Sequence, residues 1–381
     1  MVTRLYLHIP FCRHKCPYCS FISRESTKDP GEYVDLLLDE MRLDARDCSP
    51  AKPLESVYFG GGTPSLLSPG HVERIIHGAK QTFGLAEDTE ITLEANPGTV
   101  DFQRLAGFRA AGVNRLSLGF QSFDGTMLAV LGRIHTTEQA RDAFSAARRA
   151  GFHDIGIDLI HSLPGQTTEM WRKELEQALQ IAPEHISVYG LTVEADTPFA
   201  ERYDDAGGLL PDEDASAEMF ELAHSVLTAA GYEHYEIANY ARPGHRSRHN
   251  SGYWQRDGYL GLGAGAHSFL RDRDYGIRFG NAADLEEYSA TIHQGQLPRR
   301  DVTVLTRGDA MAEFMFLGLR LAEGVEFDAF EREFGIAPAQ LYGPLFGELV
   351  SMGLLEMDDR KARLTLRGWL LSNQVLARFL P

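Results

Sequence analysis

Three of the four cysteines lie close together near the start of the chain: Cys12, Cys16 and Cys19. Their segment reads HIPFCRHKCPYCSF, a Cys-x3-Cys-x2-Cys spacing. Thiolates are the usual ligands of iron–sulfur clusters, and three thiolates on a four-iron cube leave one iron open to bind a reactant. The alternative is a structural zinc site, for which His8 or His14 would be the fourth ligand. Cys48 is distant and lies on a predicted helix, so we interpret it as an ordinary buried thiol.

Composition and charge limit the class of protein. The 381 residues suffice for one large domain and a smaller one, and 43% apolar content is ordinary for a globular protein. With 37 Lys and Arg against 54 Asp and Glu, the net charge of −17 argues against nucleic acid as the main partner. No run approaches the roughly 18 apolar residues of a membrane span, and no signal peptide is recognised. We therefore expect a cytoplasmic protein, in which clustered cysteines indicate metal binding or catalysis.

The first two thirds of the chain repeat one pattern, a helix with a glycine near its end followed by a short apolar strand. The pattern is seen at residues 109–122, 148–165, 178–192 and 229–241. Helices are predicted at about 31–46, 69–82, 101–111, 136–150 and 168–181, and earlier strands at 5–9, 56–59 and 90–94. This alternation predicts right-handed βα units around a parallel sheet. Six units are too few for a closed eight-unit barrel, so the α/β fold expected is a partial (β/α)6 barrel.

The remainder of the chain divides into two parts. The barrel is expected over 1–240, and residues 241–300 lose its pattern and are rich in Gly, Arg, Tyr and His, as in a connecting segment. Residues 301–381 are predicted to form a smaller, mostly helical, winged-helix-like domain, with a hairpin within 354–366. This domain has 8 Lys and Arg against 12 Asp and Glu, a net of −4. Its function is therefore expected to be packing or partner docking and not DNA reading.

Polar and Gly-rich motifs follow several of the predicted strands: FGGGTP, LEANP, GFQS and IDLIHSLPG. Parallel α/β folds place their sites at the carboxyl ends of the strands. A single glycine after a strand usually only makes a turn. Several such motifs at one rim, beside the cysteine segment, predict a ligand site there.

The cysteine segment after a first strand resembles the signature of the radical S-adenosylmethionine superfamily. GGGTP at 60–64 resembles the loop that contacts the amino group of the cofactor in that superfamily. The likeness covers almost the whole chain and points to the coproporphyrinogen-dehydrogenase-like branch, and within it to the HemW-type heme chaperones. It implies a [4Fe–4S] cluster on the three cysteines, S-adenosylmethionine at the open iron, and heme.

The resemblance assigns cofactor contacts to further residues at this rim: Tyr6, Tyr18, Gly61, Gly62, Thr63, Glu94, Gln121, Arg133 and Asp158. Glycine in the loop permits close backbone approach to the amino-acid end of the cofactor. Glu94 would pair with its ammonium group, Arg133 would bind its carboxylate bidentately, and Asp158 would accept hydrogen bonds from its ribose. The chemistry implied is electron transfer from a reduced cluster to the sulfonium and carbon–sulfur cleavage to a 5′-deoxyadenosyl radical.

The segment HNSGYW, residues 249–254, matches the His-Asn-x-x-Tyr-Trp motif of the heme-chaperone branch. Imidazole is a standard axial ligand of heme iron. His249 is therefore the implied heme contact, and Tyr253 and Trp254 offer flat apolar faces. Arg246 or Arg248 would pair with the propionates. A loop that packs on the barrel, with His249 in ordinary hydrogen bonds, is the alternative.

Two departures separate the chain from the decarboxylases of coproporphyrinogen III that it also resembles. Those enzymes carry a fourth cysteine two residues after the third, where this chain has Phe21. The sequence also begins only eleven residues before Cys12, without the N-terminal extension of those enzymes. Both departures argue against decarboxylase activity. His267 in GLGAGAHS is a weaker ligand candidate, because that Gly-rich run is better explained by close backbone approach at the barrel mouth.

The function expected from this resemblance is a heme chaperone that passes heme to an acceptor protein. Membrane respiratory enzymes are candidate acceptors, and a homodimer is compatible with that role. Two other hypotheses stay open. One is a radical enzyme that acts on a porphyrinogen, and the other is a zinc-stabilised binding module without catalytic activity.

Overall fold

A computed structural model describes residues 2–47, 52–203, 209–271 and 274–380 of the chain. Cys48 lies outside these residues, so its interpretation as a buried thiol stays a prediction. The first eight strands are β1 (Arg4–Ile9), β2 (Phe11–Cys12), β3 (Arg24–Glu25), β4 (Leu54–Gly61), β5 (Leu85–Ala95), β6 (Arg115–Gln121), β7 (Ile155–His161) and β8 (His185–Gly190). The helices among them are α1 (Gly31–Asp47), α2 (Pro69–Phe83), α3 (Phe102–Ala110), α4 (Gly125–Val130), α5 (Thr137–Arg149) and α6 (Thr168–Ile181).

Six parallel strands form the barrel sheet in the order β1-β4-β5-β6-β7-β8. The strand order follows the chain, so each helical crossover joins neighbouring strands, as right-handed βα units require. The prediction of a partial (β/α)6 barrel is confirmed, and the predicted helices match the observed ones within a few residues at each end. Short polar side chains explain several helix starts, since Ser68 caps α2, Asp101 caps α3 and Thr136 forms a capping box with Gln139 at α5.

Residues 191–304 hold the next elements, which are α7 (Pro198–Arg202), α8 (Glu213–Ala229), β9 (Glu233–Glu236), β10 (Asn239–Ala241), α9 (Arg248–Trp254), β11 (Tyr259–Leu262), β12 (His267–Leu270), β13 (Ile277–Asn281), α10 (Leu285–His293) and β14 (Arg299–Val304). Strand β11 pairs in parallel with β1, and β12, β13 and β14 continue the same sheet in antiparallel order. Residues 241–300 therefore extend the barrel sheet beyond β1 and do more than connect two domains. Their strands are short, with a glycine in β11 and in β13 and more glycines in the connections between them, so the sequence lacks the apolar alternation that marks a strand.

The C-terminal region has its own apolar core, which includes Phe330, Phe334, Phe346 and Trp369. Its elements are α11 (Arg307–Gly318), β15 (Val325–Glu326), α12 (Phe327–Phe334), α13 (Pro338–Ser351), β16 (Leu355–Met357), β17 (Lys361–Leu364), α14 (Leu366–Leu370) and α15 (Ser372–Ala377). The predicted hairpin is β16 and β17, and β15 adds a third strand beside β17. This arrangement of helices and a small sheet agrees with the predicted winged-helix-like unit.

A buried ion-pair network joins the C-terminal region to the barrel sheet. The guanidinium group of Arg256 donates to Glu313 and to Glu333, each at 2.9 Å. Arg278 on β13 pairs with the same Glu313 at 2.5 Å. Within the residues that the structure describes, no helix is long and apolar enough to cross a membrane.

Candidate functional site

The three cysteines follow β1 at the carboxyl ends of the parallel strands, with Cys12 at the end of the short strand β2 and Cys16 and Cys19 in the loop between β2 and β3. The backbone N–H of Cys19 donates to the carbonyl of Cys16 at 3.0 Å, which closes a turn between them. The hydroxyl of Thr63 lies 3.5 Å from Cys12 Sγ, and Nη1 of Arg133 lies 3.6 Å from Cys16 Sγ. The loop after β4 and the loop after β6 therefore both contact the cysteine segment. Burial raises the pKa of the Cys19 thiol.

Neither histidine that zinc would need is directed at the cysteine sulfurs. In His8, Nδ1 lies 3.1 Å from the hydroxyl of Tyr6 and Nε2 lies 2.7 Å from the carbonyl of Ile22. Nδ1 of His14 lies 3.1 Å from a carboxylate oxygen of Glu25. Among the described residues, no three His, Cys, Asp or Glu side chains are arranged to hold a single metal ion. Coordination of zinc by His8 or His14 would therefore require the histidine to leave these partners.

The glycine loop after β4 has no room for side chains. Gly61 adopts φ +111°, and a Cβ added there would stand 2.7 Å from the ring of His8. A Cβ on Gly62 would stand 2.8 Å from the carbonyl oxygen of Phe11 and 3.0 Å from Cys12 Sγ. Both positions therefore require glycine, which keeps the backbone open beside the cysteine segment.

Two half-buried carboxylates, Glu94 and Asp158, follow at β5 and β7. Oε1 of Glu94 accepts a hydrogen bond from the hydroxyl of Tyr58 at 2.8 Å. Burial raises the pKa of Glu94 to about 7, helped by the charge of Asp158 and opposed by the Tyr58 hydrogen bond. Asp158 accepts from Ser117 Oγ at 3.2 Å, and burial raises its pKa as well. Each carboxylate is thus poised to gain stabilisation from a bound cation or a hydroxyl donor.

Arg133 is held between two loops of the rim. Its Nη2 donates to Asn96 Oδ1 at 2.6 Å and to the carbonyl of Gly119 at 3.0 Å. Its Nε is buried and has no hydrogen-bond partner among the described residues. Gln121, at the end of β6, adopts the left-handed conformation with φ 65°, and a Cβ on Gly119 would stand 2.9 Å from its amide nitrogen. The two predicted contacts are therefore neighbours at this rim.

A cavity of about 520 Å³ opens beside this rim. Tyr6, Gly61 and Glu94 line one side of it, so it is continuous with the predicted cofactor residues. Its other walls are mainly aromatic or apolar side chains and include Phe21, Ile22, Tyr253, Trp254 and Tyr259. Phe21 is 65% exposed and Ile22 39%, which is unusual for large apolar side chains that neighbour each other. Tyr18 lies outside this cavity and packs edge-on against Phe199.

His249 is enclosed in the protein and does not line this cavity. It is 1% exposed, its Nδ1 lies 2.9 Å from Ser56 Oγ, and its Nε2 lies 2.8 Å from the hydroxyl of Tyr253. Burial lowers the pKa of His249 well below its ordinary value. Contact with heme stays a prediction for this residue, and binding of iron by Nε2 would require loss of the Tyr253 hydrogen bond.

The inference that Arg246 or Arg248 pairs with heme propionates finds no support in the geometry. Arg246 donates to Glu233 and Glu323, at 2.9 and 2.6 Å. Arg248 donates to Asp88 at 2.8 Å. Neither arginine lines the cavity. Both arginines already pair with carboxylates of this acidic chain, and the local sequence around them does not reveal those pairings.

The rim residues fit an iron–sulfur cluster and S-adenosylmethionine. The donor set offers three thiols, a glycine loop that admits close backbone approach, two half-buried carboxylates and the buried Nε of Arg133, which has no partner among the described residues. Sequence reasoning missed the residues that hold these groups: Tyr58, Asn96 and Ser117. Asn96 stands within the LEANP motif, so that motif could have identified it. Tyr58 and Ser117 lie within strands, and no motif marks them.

Comparisons with known proteins agree with this picture. The Radical SAM superfamily matches residues 6–178 and the HemN C-terminal domain matches residues 305–371. A protein named heme chaperone HemW from Lactococcus lactis is 37% identical over 98% of this chain and 96% of its own length. One of the same name from Escherichia coli is 37% identical over 99% and 97%. Among solved structures, coproporphyrinogen III oxidase (HemN) of Escherichia coli, a radical SAM enzyme, has a TM-score of 0.85 at 25% identity and covers 98% of this chain and 89% of its own.

Identity above 30% along almost the full length of both chains is far more than a shared fold would give. The two matching domains also follow each other in the order that the sequence predicted. The chain therefore belongs to the HemW-type heme chaperones, in the coproporphyrinogen-dehydrogenase-like branch of the radical S-adenosylmethionine superfamily.

Proposed function

We propose that this chain binds heme and transfers it to an acceptor protein. The observation that carries the proposal is the cavity of about 520 Å³ beside the rim. Sites for cofactor-sized ligands commonly measure roughly 300–1,000 Å³ and are lined mostly by apolar and aromatic groups. Tyr253 and Trp254 of the HNSGYW helix line the cavity, and the exposed side chain of Phe21 lines it as well. Such aromatic walls suit a flat macrocycle.

We further propose that Cys12, Cys16 and Cys19 hold a [4Fe–4S] cluster and that S-adenosylmethionine binds beside it and exchanges. When bound, the cluster supplies a one-electron donor with one iron open to a ligand. Glu94 would accept the ammonium group of the cofactor, and the Arg133 guanidinium would face its carboxylate.

The remaining predicted contacts complete this cofactor site. The backbone of Gly61, Gly62 and Thr63 leaves space for the amino-acid end. Asp158 would accept from ribose hydroxyls, and Tyr6, Tyr18 and Gln121 would pack around the cofactor. A reducing cytoplasm would keep the thiols available for the cluster. The acceptor would be a protein, with membrane respiratory enzymes as candidates, and a homodimer is compatible with the proposal.

A hemin titration of the anaerobically reconstituted protein tests heme binding. We expect a shifted Soret band that saturates at about one heme per chain, and transfer of that heme to apomyoglobin, used as a probe acceptor. Phe21→Ala should weaken heme binding roughly tenfold, because loss of an aromatic contact costs about 1.4 kcal/mol. Phe102→Ala is the matched control, since Phe102 is also exposed, at 44%, but lies on α3 away from the cavity. No Soret shift in the wild type would refute the proposal.

A porphyrinogen-directed radical enzyme is the second candidate, favoured by the TM-score of 0.85 with coproporphyrinogen III oxidase. Phe21 stands where the decarboxylases carry their fourth cysteine, which argues against it. Incubation with coproporphyrinogen III, reductant and S-adenosylmethionine distinguishes the two. Protoporphyrinogen as a product would support the enzyme, and cofactor cleavage without that product would count against it.

A further inference from the structure

Two histidines line the cavity, and only one of them has free ring nitrogens. His8 has both nitrogens in hydrogen bonds, to Tyr6 and to the carbonyl of Ile22. His267 is exposed, and its ring has no hydrogen-bond partner among the described residues. An imidazole nitrogen must have a free lone pair to bind a metal. His267 therefore has a free imidazole nitrogen at the cavity, whereas the ring nitrogens of His249 already face Ser56 and Tyr253.

The sheet fixes the place of His267 at the cavity wall. It is the first residue of β12 and pairs with Gly280 on β13. A Cβ on Gly280 would stand 3.2 Å from the imidazole ring, so the missing side chain gives the ring its space. A residue on a paired strand is held more firmly than one on a loop, which suits a ligand that must keep its direction.

The surroundings of His267 match the other parts of a heme. Phe21, Tyr253 and Tyr259 line the same cavity and provide apolar faces for the macrocycle. Arg278 is the only Arg or Lys among the described residues that line it, and 32% of its side chain is exposed. Glu313 already pairs with Arg278 through Nε. Nη1 donates to the hydroxyl of Tyr259 at 3.4 Å, and Nη2 remains able to receive a propionate.

We propose that His267 supplies the axial nitrogen to heme iron in this cavity, with Arg278 facing a propionate. The proposal rests on the proposed function, because it specifies how the same heme is held. In it, the HNSGYW helix contributes a wall through Tyr253, and His249 holds the Tyr253 hydroxyl in place. The bond that forms is a coordination bond from a neutral imidazole nitrogen, and no bond within the protein breaks.

Ferric heme spectra of three variants test the assignment: His267→Ala, His249→Ala and His77→Ala. His77 is an exposed histidine on α2 that does not line the cavity, so it is the matched control. We expect His267→Ala to lose the nitrogen-ligated Soret and electron paramagnetic resonance signals and to regain them with added imidazole. His77→Ala should match the wild type. The circular dichroism spectrum and the non-heme iron content should stay unchanged in His267→Ala, because the His267 ring makes no hydrogen bond that the fold needs.

The outcomes separate this proposal from the function on which it rests. A wild type that binds no heme would refute both. A wild type that binds heme, with His267→Ala unchanged, would overturn the ligand assignment alone. If His249→Ala is the variant whose axial ligation is lost and then restored by imidazole, the ligand is His249 and the proposal is wrong.

Discussion

The half-buried carboxyl of Glu94 predicts a pH dependence of S-adenosylmethionine binding. Its pKa is raised to about 7 by burial and by Asp158. An ammonium ligand prefers the ionised carboxylate, so protonation of Glu94 must weaken binding as the pH falls through 7. A group with a pKa of about 7 is roughly 75% ionised at pH 7.5 and 3% at pH 5.5. We therefore expect the dissociation constant to rise about 25-fold between these two pH values.

Calorimetry with the anaerobically reconstituted, oxidised protein measures this change without cofactor cleavage. Glu94→Gln should bind more weakly at pH 7.5 and lose the steep dependence below pH 7, because the amide does not titrate. Glu87→Gln is the matched control, since Glu87 lies on the same strand but is exposed. Tyr58→Phe removes a hydrogen bond that favours the carboxylate and should move the transition to higher pH. A wild-type affinity that does not change from pH 5.5 to 7.5 would show that Glu94 does not control S-adenosylmethionine binding. An equally steep pH dependence in Glu94→Gln would show the same.

Three further predictions concern the support of the site. Gly62→Ala should lower the iron bound per chain, measured after reconstitution, because its Cβ would stand 2.8 Å from Phe11 O and 3.0 Å from Cys12 Sγ. Arg256→Met should lower the free energy of unfolding by about 1.5–3 kcal/mol in chemical denaturation, because it removes buried charge-assisted hydrogen bonds to Glu313 and Glu333, which keep Arg278 and Arg271 as partners. Burial raises the pKa of Glu40 to about 8, so the folded state prefers the protonated carboxyl and loses stability when Glu40 ionises. The melting temperature of the wild type minus that of Glu40→Gln should therefore fall as pH rises from about 4.5 to 8. A difference that stays constant with pH would contradict this assignment.

The barrel could be predicted because its signals are local. Each βα unit carries its own glycine, helix cap and apolar strand, and the strand order follows the chain. The short strands of residues 241–304 could not be predicted in this way. Their pairing with β1 joins residues more than 250 positions apart, such as Leu5 and Leu260, and short strands with glycine lack a regular apolar pattern.

The site residues divide in the same way, into those that local motifs predict and those whose setting depends on residues far away along the chain. Motif spacing brought Cys12, Gly62 and Glu94 to one rim, because the carboxyl ends of parallel strands meet there. The setting of His249 depends on Ser56, which is 193 positions away along the chain. Burial of this histidine follows from packing between distant strands, so the motif alone could not show that its ring nitrogens lie within hydrogen-bonding distance of Ser56 and Tyr253. The exposed ring of His267 likewise follows from its pairing with Gly280.

Purification under strict anaerobic conditions, with iron, sulfide and heme measured on the same sample, distinguishes a heme-binding iron–sulfur protein from a zinc-stabilised module. We expect about four non-heme irons and four sulfides per chain, together with a Soret band that hemin brings to about one heme per chain. We also expect a triple Cys→Ala variant at Cys12, Cys16 and Cys19 to lose the sulfide and the non-heme iron. A colourless protein that contains zinc without iron or sulfide, and that leaves the hemin spectrum unchanged, would contradict both the cluster and the heme assignments.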